Sequence, residues 1–286
     1  MIYAPAYAKL NLALSVVGRR PDGRHALRSV VVRLDWHDLV GVGLVASEDP
    51  AVLGVAVSGP GAGEVPEADN LVLRAGRAVL DRHPGKSLRL TLEKRLPAAA
   101  GLGGGSADAG VVLRLLGCQR FESPGPDLLR LADALGSDVP ACLVGGSLLV
   151  GGAGERLEPL QHPVLHLAVA VAGRSGTGAT FAALTPGEWR GAERPERLAR
   201  QLGAGAGADP ELCGSDLEPA ACRSHPQLAA AIDRLRTGVP RARWHLTGSG
   251  GALFALVATG SEAASLAASA RSLGFPARAC RTVVAP

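Results

Sequence analysis

Glycines clustered between residues 101 and 105 are the first feature of this sequence that indicates chemistry. Residues 97–108 read PAAAGLGGGSAD, with glycine at positions 101, 103, 104 and 105 and a serine directly after them. Glycine costs backbone entropy on folding, so such a cluster is typical of a place where the chain needs positive φ angles or a close approach of its backbone. The cluster predicts that something small and specific approaches this loop.

The predicted elements on either side indicate what that ligand is. Residues 87–96 alternate leucine with polar residues, which predicts a half-buried strand, and residues 106–117 predict a helix with Ser106 as a possible N-cap and Gly117 as its end. Amides at a helix N-terminus and the helix dipole attract anions, above all phosphate. Neither a Walker A nor a Rossmann motif is present. A flexible turn is the alternative, and the regular elements around the loop favour phosphate binding.

Two polar residues interrupt the apolar segment AYAKLNL at residues 6–12. Lys9 and Asn11 are two positions apart, so in a strand they share a face. Burying them without partners is costly. The pattern therefore indicates either an exposed strand face or a functional site, and the segment alone does not decide between them.

Asp138 and His25 are further candidates with simple structural alternatives. Asp138 follows a helix predicted over 126–136 and precedes an apolar segment, which by itself favours a capping role. His25 follows Pro-Asp-Gly at 21–23, a strong turn signal, and by itself is typical of a surface histidine.

The elements that must position these residues mix strands and helices without regular alternation. Asp69 and Asn70 predict the start of a helix, as does the Ser-His-Pro segment at 224–226, and residues 201–209 predict a loop before the C-terminal third. This mixture favours an α+β fold over a doubly wound sheet. Further strands are predicted at 29–35, 39–45, 51–57, 163–172, 252–258 and 277–284, and a further helix at 262–273.

Composition limits the function classes. The chain has 286 residues and 47% hydrophobic residues, enough for two domains, and its net charge of +4 suits an anionic ligand. No basic run with interleaved aromatics is present, so no nucleic-acid partner is expected. The five cysteines include no C-x-x-C pair, which indicates thiols in a reducing compartment. The sequence has no signal-peptide pattern and no apolar run of about 18 residues, so we expect a cytoplasmic protein without a membrane partner.

Six segments occur here in the order of a known family: AKLNL (8–12), GRRPDGRH (18–25), KRLPAAAGLGGGSADA (94–109), GSDVP (136–140), DLEP (216–219) and GSG (248–250). On these segments the chain resembles the GHMP kinases from Tyr3 to about Ala258. The glycine loop marks the family as a whole. The combination of AKLNL with RPDGRH is narrower and resembles members that phosphorylate the 2-hydroxyl of a cytidine diphosphate derivative of methylerythritol, in the non-mevalonate (MEP) pathway to isoprenoid precursors.

The resemblance implies a role for each matching residue. Asp138 matches the catalytic aspartate and Lys9 its basic partner, while Asn70, Leu71 and Lys94 match positions that line the adenine pocket. The residues matching the ATP phosphate loop are Pro97, Ala98, Ala99, Ala100, Gly101, Leu102, Gly103, Gly104, Gly105, Ser106 and Ala107. Those matching the substrate side are Asn11, Arg24, His25, Thr177, Phe181, Gly248, Ser249 and Gly250. The implied cofactors are ATP and Mg²⁺, with no protein ligand for the metal identified.

The resemblance also implies a fold and an assembly. An ATP-binding, ribosomal-S5-domain-2-like half would span 1–160 and a ferredoxin-like half 161–286, in a monomer or a homodimer. The chain departs from the family at Arg24, where tyrosine is usual and is implied to stack on the cytosine ring. It also departs at Ser215, where asparagine is usual, and at alanines 98–100, where glycine is frequent.

Three alternatives belong to other functional classes or substrates. Another GHMP kinase, of the homoserine or mevalonate type, is disfavoured by RPDGRH. A nucleotide-binding regulator without turnover is disfavoured by the presence of both Lys9 and Asp138. An RNA-binding role would rest on analogy with the ribosomal half-fold alone, which is weak support.

Overall fold

Two long strands joined by a tight turn begin the chain. In the computed structural model, which describes residues 1–66, 70–118 and 123–284, β1 (Ile2–Arg19) pairs with β2 (His25–Ala46). The N–H of Gly23, at φ +83°, donates to the carbonyl of Arg20 and closes the predicted turn. The sequence predicted two strands, at 29–35 and 39–45, but the structure has the single strand β2. Residues 36–38 connect the two predicted strands, because they continue the alternation of buried and half-buried positions.

Two compact units make up the chain, and each is assembled from several segments. Unit 1 comprises Met1–Lys9, Trp36–Ala98 and Gly103–Gly145, and unit 2 comprises Leu10–Asp35, Ala99–Leu102 and Gly146–Pro286. Both β1 and β2 contribute residues to each unit. The sequence analysis divided the chain into an ATP-binding half at 1–160 and a second half at 161–286. That division into two functional domains stays a prediction.

Unit 1 packs four helices on a sheet. β3 (Val52–Ser58) runs parallel to β4 (Lys86–Glu93), which pairs antiparallel with the second half of β2. The core joins Val40 and Val42 of β2 to Leu88, Leu90 and Leu92 of β4, as the leucine alternation predicted. The helices are α1 (Leu71–Val79), α2 (Gly104–Gly117), α3 (Pro126–Leu135) and α4 (Val139–Val144).

The crossing of α2 and α4 is close and is fixed by an arginine. A Cβ added at Gly110 of α2 would lie 3.0 Å from the backbone of Cys142 on α4, so only glycine allows this approach. Arg114 of α2 donates from Nε to the carbonyl of Leu143 at 3.0 Å and from Nη2 to the carbonyl of Val144, satisfying the C-terminal end of α4. The two helices that begin at the glycine loop and at Asp138 are thereby held together.

Unit 2 contains a second sheet, antiparallel and four-stranded. Its strands are β7 (His166–Val171), β9 (His245–Leu246), β10 (Ala252–Val257) and β11 (Ala277–Arg281), in the order β11-β7-β10-β9. Helices α8 (Pro226–Gly238) and α9 (Gly260–Ser272) pack on it, giving the β-α-β-β-α-β succession of a ferredoxin-like unit. The remaining elements are β5 (Leu148–Gly152), β6 (Arg156–Pro159), β8 (Gly214–Ser215), α5 (Thr177–Ala182), α6 (Glu193–Gly203) and α7 (Glu218–Ser224).

Two helix starts test the sequence predictions. Ser106 as N-cap of α2 is wrong: the N-cap is Gly103, in the left-handed region at φ +66°, and the helix begins two residues before Ser106. The start of α1 is confirmed at Asn70, whose Oδ1 accepts the N–H of Val72 at 2.9 Å. Asp69, grouped with Asn70 in the prediction, lies outside the described residues.

Cys213 and Cys280 are buried, and the other three cysteines are partly exposed. The five cysteines are free thiols. None of the helices in the described part of the chain is long and apolar enough to cross a bilayer.

Candidate active site

The glycine loop lies between β4 and α2, as predicted, and its backbone uses the conformations that glycine supplies. Ala99, Gly101 and Gly103 have φ angles of +55°, +76° and +66°. A Cβ added at Gly103 would lie 2.5 Å from Cγ of Lys9, and one at Gly104 would lie 2.8 Å from Nζ of Lys94. Positive φ and close approach together therefore account for the glycine cluster.

The loop ends in donors that suit an anion. Gly103, the N-cap of α2, has no side chain to accept from the first turn, and the first intrahelical bond runs from the N–H of Ala107 to the carbonyl of Gly103. The N–H groups of Gly104, Gly105 and Ser106 precede that bond and have no helical acceptor. Three amides at the positive end of a 14-residue helix are the arrangement that binds phosphate.

Lys9 and Asp138 form an ion pair in unit 1. Nζ of Lys9 lies 3.1 Å from Oδ2 of Asp138, and the lysine is buried in β1 while about half of the aspartate side chain is exposed. Asp138 stands at the N-cap position of α4 but makes no side-chain capping hydrogen bond. The capping role that the sequence favoured is therefore wrong, and the alternative of an exposed strand face for Lys9 and Asn11 is wrong as well, because both are buried.

Asn70 and Leu71 stand at the start of α1, and their contact with adenine stays a prediction. Leu71 approaches the loop, since a Cβ added at Gly105 would lie 3.4 Å from its Cδ1. Asn70 is buried, and its Nδ2 has no hydrogen-bond partner among the described residues. An unpaired buried donor costs about 1–3 kcal/mol, a cost that a ligand acceptor such as a ring nitrogen would remove.

Lys94 is buried, and its ammonium is engaged by two carboxylates. Nζ of Lys94 bonds to Oδ2 of Asp38 and lies 3.0 Å from Oδ2 of Asp108. Burial opposes the charge on Lys94, but Asp108 and Asp38 outweigh it and raise the pKa of the ammonium above its ordinary value. The contact of Lys94 with adenine stays a prediction.

Asp38 and Asp108 are site residues that sequence reasoning missed. Burial, opposed by Lys94 and assisted by Asp38, raises the pKa of Asp108 to about 7. Asp108 stands in the glycine-loop segment itself, and Asp38 is an acidic residue in an apolar strand. These two signals are available in the sequence, but the pairing of the two acids with Lys94 is not.

The residues that the resemblance assigns to the substrate side lie in unit 2. Asn11 donates from Nδ2 to Oγ of Ser29 and from its backbone N–H to Oγ1 of Thr247, both at 2.8 Å. Thr177, the first residue of α5, lies with Oγ1 2.9 Å from Oγ of Ser249. The Ser249 carbonyl also accepts from Thr180 at 3.2 Å. Thr177 and Ser249 are thus brought together.

Residues 248–250 pack against the middle of the glycine loop within unit 2. A Cβ added at Gly101 would lie 2.2 Å from the carbonyl oxygen of Gly250, and one at Gly251 would lie 2.6 Å from the backbone of Ala100. The Gly248 carbonyl accepts from Oγ of Ser215 at 2.6 Å. Serine at 215 therefore has a defined role in holding this segment.

An aromatic pair and a charged turn complete the substrate-side group. The rings of His25 and Phe181 stack with centroids 5.3 Å apart, and Trp189 meets His25 edge-on. Burial and the charge of Arg19 lower the pKa of His25. Arg24 is exposed, and its guanidinium lies 3.2 Å from Oδ2 of Asp22. His25 is therefore part of a ring cluster rather than a free surface histidine.

The described residues provide no protein cage for a metal. Among residues 1–66, 70–118 and 123–284, no group of three or more His, Cys, Asp or Glu side chains is placed to hold one. Mg²⁺ in kinases keeps several waters and binds largely through substrate phosphates, so the donor set here does not supply the metal site by itself.

Comparisons with known proteins bear on this arrangement. The profile of the GHMP kinases N terminal domain matches residues 70–146. A 4-diphosphocytidyl-2-C-methyl-D-erythritol kinase of Xanthobacter autotrophicus is 42% identical over 93% of this chain and 93% of its own length. One of Paracoccus denitrificans is 42% identical over 90% of this chain and 88% of its own.

Solved structures give the same result for the fold. A crystal structure of 4-(cytidine 5'-diphospho)-2C-methyl-D-erythritol kinase superposes with a TM-score of 0.77 at 33% identity, covering 98% of this chain and 99% of that one. An L. major mevalonate kinase in complex with R-mevalonate has a TM-score of 0.67 at 14% identity, covering 100% of this chain and 97% of that one. A Cytophaga hutchinsonii homoserine kinase has a TM-score of 0.63 at 16% identity, covering 97% and 94%.

The last two similarities show a shared fold alone, and they confirm the predicted α+β GHMP kinase fold. The identity of about 40% over nearly the whole chain goes further and separates this chain from the mevalonate and homoserine types. The chain belongs to the 4-diphosphocytidyl-2-C-methyl-D-erythritol kinase family of the GHMP kinases.

Proposed function

We propose that this chain transfers the γ-phosphoryl group of ATP to the 2-hydroxyl of 4-diphosphocytidyl-2-C-methyl-D-erythritol, a step in the formation of isoprenoid precursors. The observation that carries the proposal is the Lys9–Asp138 ion pair at 3.1 Å, formed by a lysine whose stem packs on Gly103 of the glycine loop. An acid placed beside a buried ammonium and a phosphate-binding backbone is what alcohol phosphorylation requires.

Asp138 is the base in this proposal. The attacking hydroxyl loses its proton as the new O–P bond forms, and Asp138 accepts that proton, while the bond between the γ-phosphorus and the bridging oxygen breaks and ADP leaves. The exposed half of the Asp138 side chain is accessible to a substrate. Lys9, paired with Asp138 at 3.1 Å, offsets the negative charge that develops during the transfer.

Phosphoryl transfer is mainly positioning and charge stabilisation, and the glycine loop supplies both. The amides of Gly104, Gly105 and Ser106 hold the phosphates of ATP, and Asn70 with its unpaired Nδ2 takes the adenine side. Mg²⁺ would be held mainly by the nucleotide phosphates and water, where it would offset the negative charge of the phosphoryl group.

The substrate-side residues bind the cytidine diphosphate derivative. Asn11, Thr177 and Ser249 offer hydrogen bonds, and His25 and Phe181 offer ring surfaces, while Arg24 replaces the tyrosine that is usual in the family. The planar, weakly hydrated guanidinium of arginine also stacks on rings. The cytoplasmic location, and assembly as a monomer or homodimer, stay predictions.

The test is an assay of ADP release from Mg-ATP with the purified chain, coupled to NADH oxidation. Four reactions are compared: no acceptor, the diphosphocytidyl methylerythritol, homoserine and mevalonate. We expect turnover with the diphosphocytidyl substrate only. Turnover with homoserine or mevalonate but not with the diphosphocytidyl substrate would show that the chain is a GHMP kinase with a substrate other than the one proposed. Nucleotide binding without turnover on any acceptor would favour a non-catalytic regulator.

A further inference from the structure

Three ionisable side chains are buried together beneath the start of α2. Asp38 is 0% exposed, Asp108 1% and Lys94 4%. Two acids and one base carry a net charge of −1 if all three are ionised. An uncompensated charge away from water costs several kcal/mol, so such a group tends to bind a proton instead.

The hydrogen bonds decide which acid binds the proton. Oδ1 of Asp38 accepts the backbone N–H groups of Arg95 and Leu96, the second at 2.7 Å, and Oδ2 accepts from Lys94. Three donors on one carboxylate stabilise its charged form. Asp108 receives only Lys94, on Oδ2, and its Oδ1 has no partner among the described residues. Of the two acids, Asp108 is therefore the one that takes up a proton when negative charge is added nearby.

This acid lies one helical turn below the phosphate-binding amides. Asp108 follows Gly104 by four residues in α2, so the two positions are neighbours on one face of the helix. Lys94, which bonds Asp108, approaches Gly104 so closely that a Cβ there would lie 2.8 Å from its Nζ. A phosphate at the amides of Gly104 to Ser106 would repel an ionised Asp108 across a short, poorly hydrated distance.

The charged groups with the largest effect on Asp108 are Lys94, directly after β4, and Asp38 of β2. Helices α1, α3 and α4 also pack on α2. Burial is the largest cause that raises the pKa of Asp108 to about 7. At neutral pH a nearby anion therefore shifts Asp108 from its ionised to its protonated form.

We propose that Asp108 is a positioning residue that binds a proton together with the nucleotide, so that the phosphate loop holds a phosphate chain above a neutral carboxylic acid. The proposal rests on the function proposed above. In the step, free enzyme with ionised Asp108, nucleotide and one proton from solvent give a complex in which Oδ1 or Oδ2 of Asp108 carries that proton. No other bond changes.

The proposal predicts a particular pH dependence. Above pH 7 the free enzyme is increasingly ionised at Asp108, so nucleotide affinity falls by up to about tenfold per pH unit until the complex itself loses the proton. Asp108→Asn imitates the neutral acid in shape and keeps an acceptor for Lys94. It should bind nucleotide at pH 8 at least as tightly as the wild type and lose this part of the pH dependence.

The experiment is calorimetric titration of the full-length chain with ADP at pH 8, in Tris and in HEPES, whose ionisation enthalpies differ. The difference in observed enthalpy counts the protons taken up on binding. We expect uptake of half a proton or more in the wild type and in the control Asp127→Asn, an exposed residue of α3. We expect uptake lower by at least about half a proton in Asp108→Asn, because the titration of ADP itself is common to all three proteins and cancels in this difference.

A second measurement needs no substitution. An infrared difference spectrum of the wild type at pH 8, with and without ADP, should gain the C=O band of a protonated carboxyl group. Equal proton uptake in wild type and Asp108→Asn, or no uptake and no new band in the wild type, overturns the proposal. If the wild type binds no ADP at all, the proposed kinase function fails together with it. ADP binding without proton uptake overturns this inference alone.

Discussion

Lys9 and Asp138 lie 3.1 Å apart, Nζ to Oδ2, although Asp138 occupies the N-cap position of α4, where a carboxylate ordinarily accepts from the helix. The carboxylate of Asp138 does not make that capping hydrogen bond and instead pairs with Lys9, a buried lysine of β1. A buried ammonium needs an anionic partner, and here the partner is half exposed and therefore accessible to a substrate.

Asp138→Asn should abolish most turnover and leave nucleotide binding nearly unchanged. Asparagine keeps the size of the side chain but cannot accept the proton of the hydroxyl, and loss of a general base typically lowers kcat by about 10²–10⁴. The measurement is kcat together with ADP affinity. Asp127→Asn on α3 is the matched control and should leave both unchanged. A variant that keeps more than about a tenth of the wild-type kcat would remove Asp138 from the role of base.

Gly103→Ala should lower kcat through Lys9. Residue 103 has φ +66°, and the added Cβ would lie 2.5 Å from Cγ of Lys9, so the lysine must move. Misplacing a catalytic group by about 1 Å can cost about 10² in kcat. Gly203→Ala is the control, because nothing lies within 4 Å of its Cβ. If kcat and KM for ATP in Gly103→Ala equal those of the control, the close packing of Lys9 on the loop has no part in catalysis.

Ala99 and Ala98 allow a direct test of backbone strain in the loop. Ala99 has φ +55°, the only positive φ among the described non-glycine residues, while Ala98 beside it has none. A left-handed alanine costs about 1–2 kcal/mol, whereas glycine elsewhere costs about 0.5–1 kcal/mol in conformational entropy. Ala99→Gly should therefore keep or raise the free energy of unfolding, and Ala98→Gly should lower it. Urea unfolding of both variants measures the difference, and equal destabilisation would contradict the strain.

The sequence predicted those parts of the site that depend on local pattern. The shared face of Lys9 and Asn11 follows from a two-residue period, and the loop between β4 and α2 follows from alternating leucines and a glycine cluster. Ser106 was given the wrong role because a left-handed glycine at 103 begins the helix earlier than a side-chain cap would.

What the sequence could not predict depends on contacts between distant segments. Asp38 and Lys94 are 56 residues apart, and no periodicity brings them together. Helices α4 and α5 have six residues each, too few for a helical period to stand out from their surroundings. The stacking of His25 on Phe181 likewise joins the start of β2 to a short helix far along the chain.

His245 should make the protein less stable in acid. It is buried in β9, its Nε2 has no partner among the described residues, and burial together with Arg243 lowers its pKa to about 4. Above pH 6.5 the imidazole of His245 is neutral in both the folded and the unfolded state. As the pH falls from 6.5 toward 4 only the unfolded state binds a proton, so the free energy of unfolding falls by up to roughly 3 kcal/mol.

His245→Leu should remove this part of the pH dependence, since the leucine has no ring nitrogen to protonate. The measurement is the free energy of unfolding of both proteins at pH 7 and pH 5. The difference between the two pH values should be smaller in the variant. An equal difference in both proteins would show that His245 is not the titrating group.

Arg24 should contribute to binding of the cytidine substrate in place of the usual tyrosine. Its guanidinium is exposed and pairs with Asp22 at 3.2 Å, while one face of Phe181 is already covered by His25. A cytosine ring that stacks on Arg24 gains a cation–π contact, and the charge also attracts the diphosphate of the substrate. Arg24→Ala should therefore raise KM for the diphosphocytidyl substrate with little change in kcat.

Ionic strength separates the two contributions of Arg24, because salt screens the attraction to the diphosphate more than it weakens stacking. The KM of the wild type should rise with salt more steeply than that of Arg24→Tyr, which stacks without charge. Asp22→Asn, which removes one carboxylate partner of the guanidinium, should lower KM at low salt and leave kcat unchanged. If Arg24→Ala has the same KM as the wild type at both ionic strengths, Arg24 does not contact the cytidine substrate, and the departure from tyrosine has no effect on recognition.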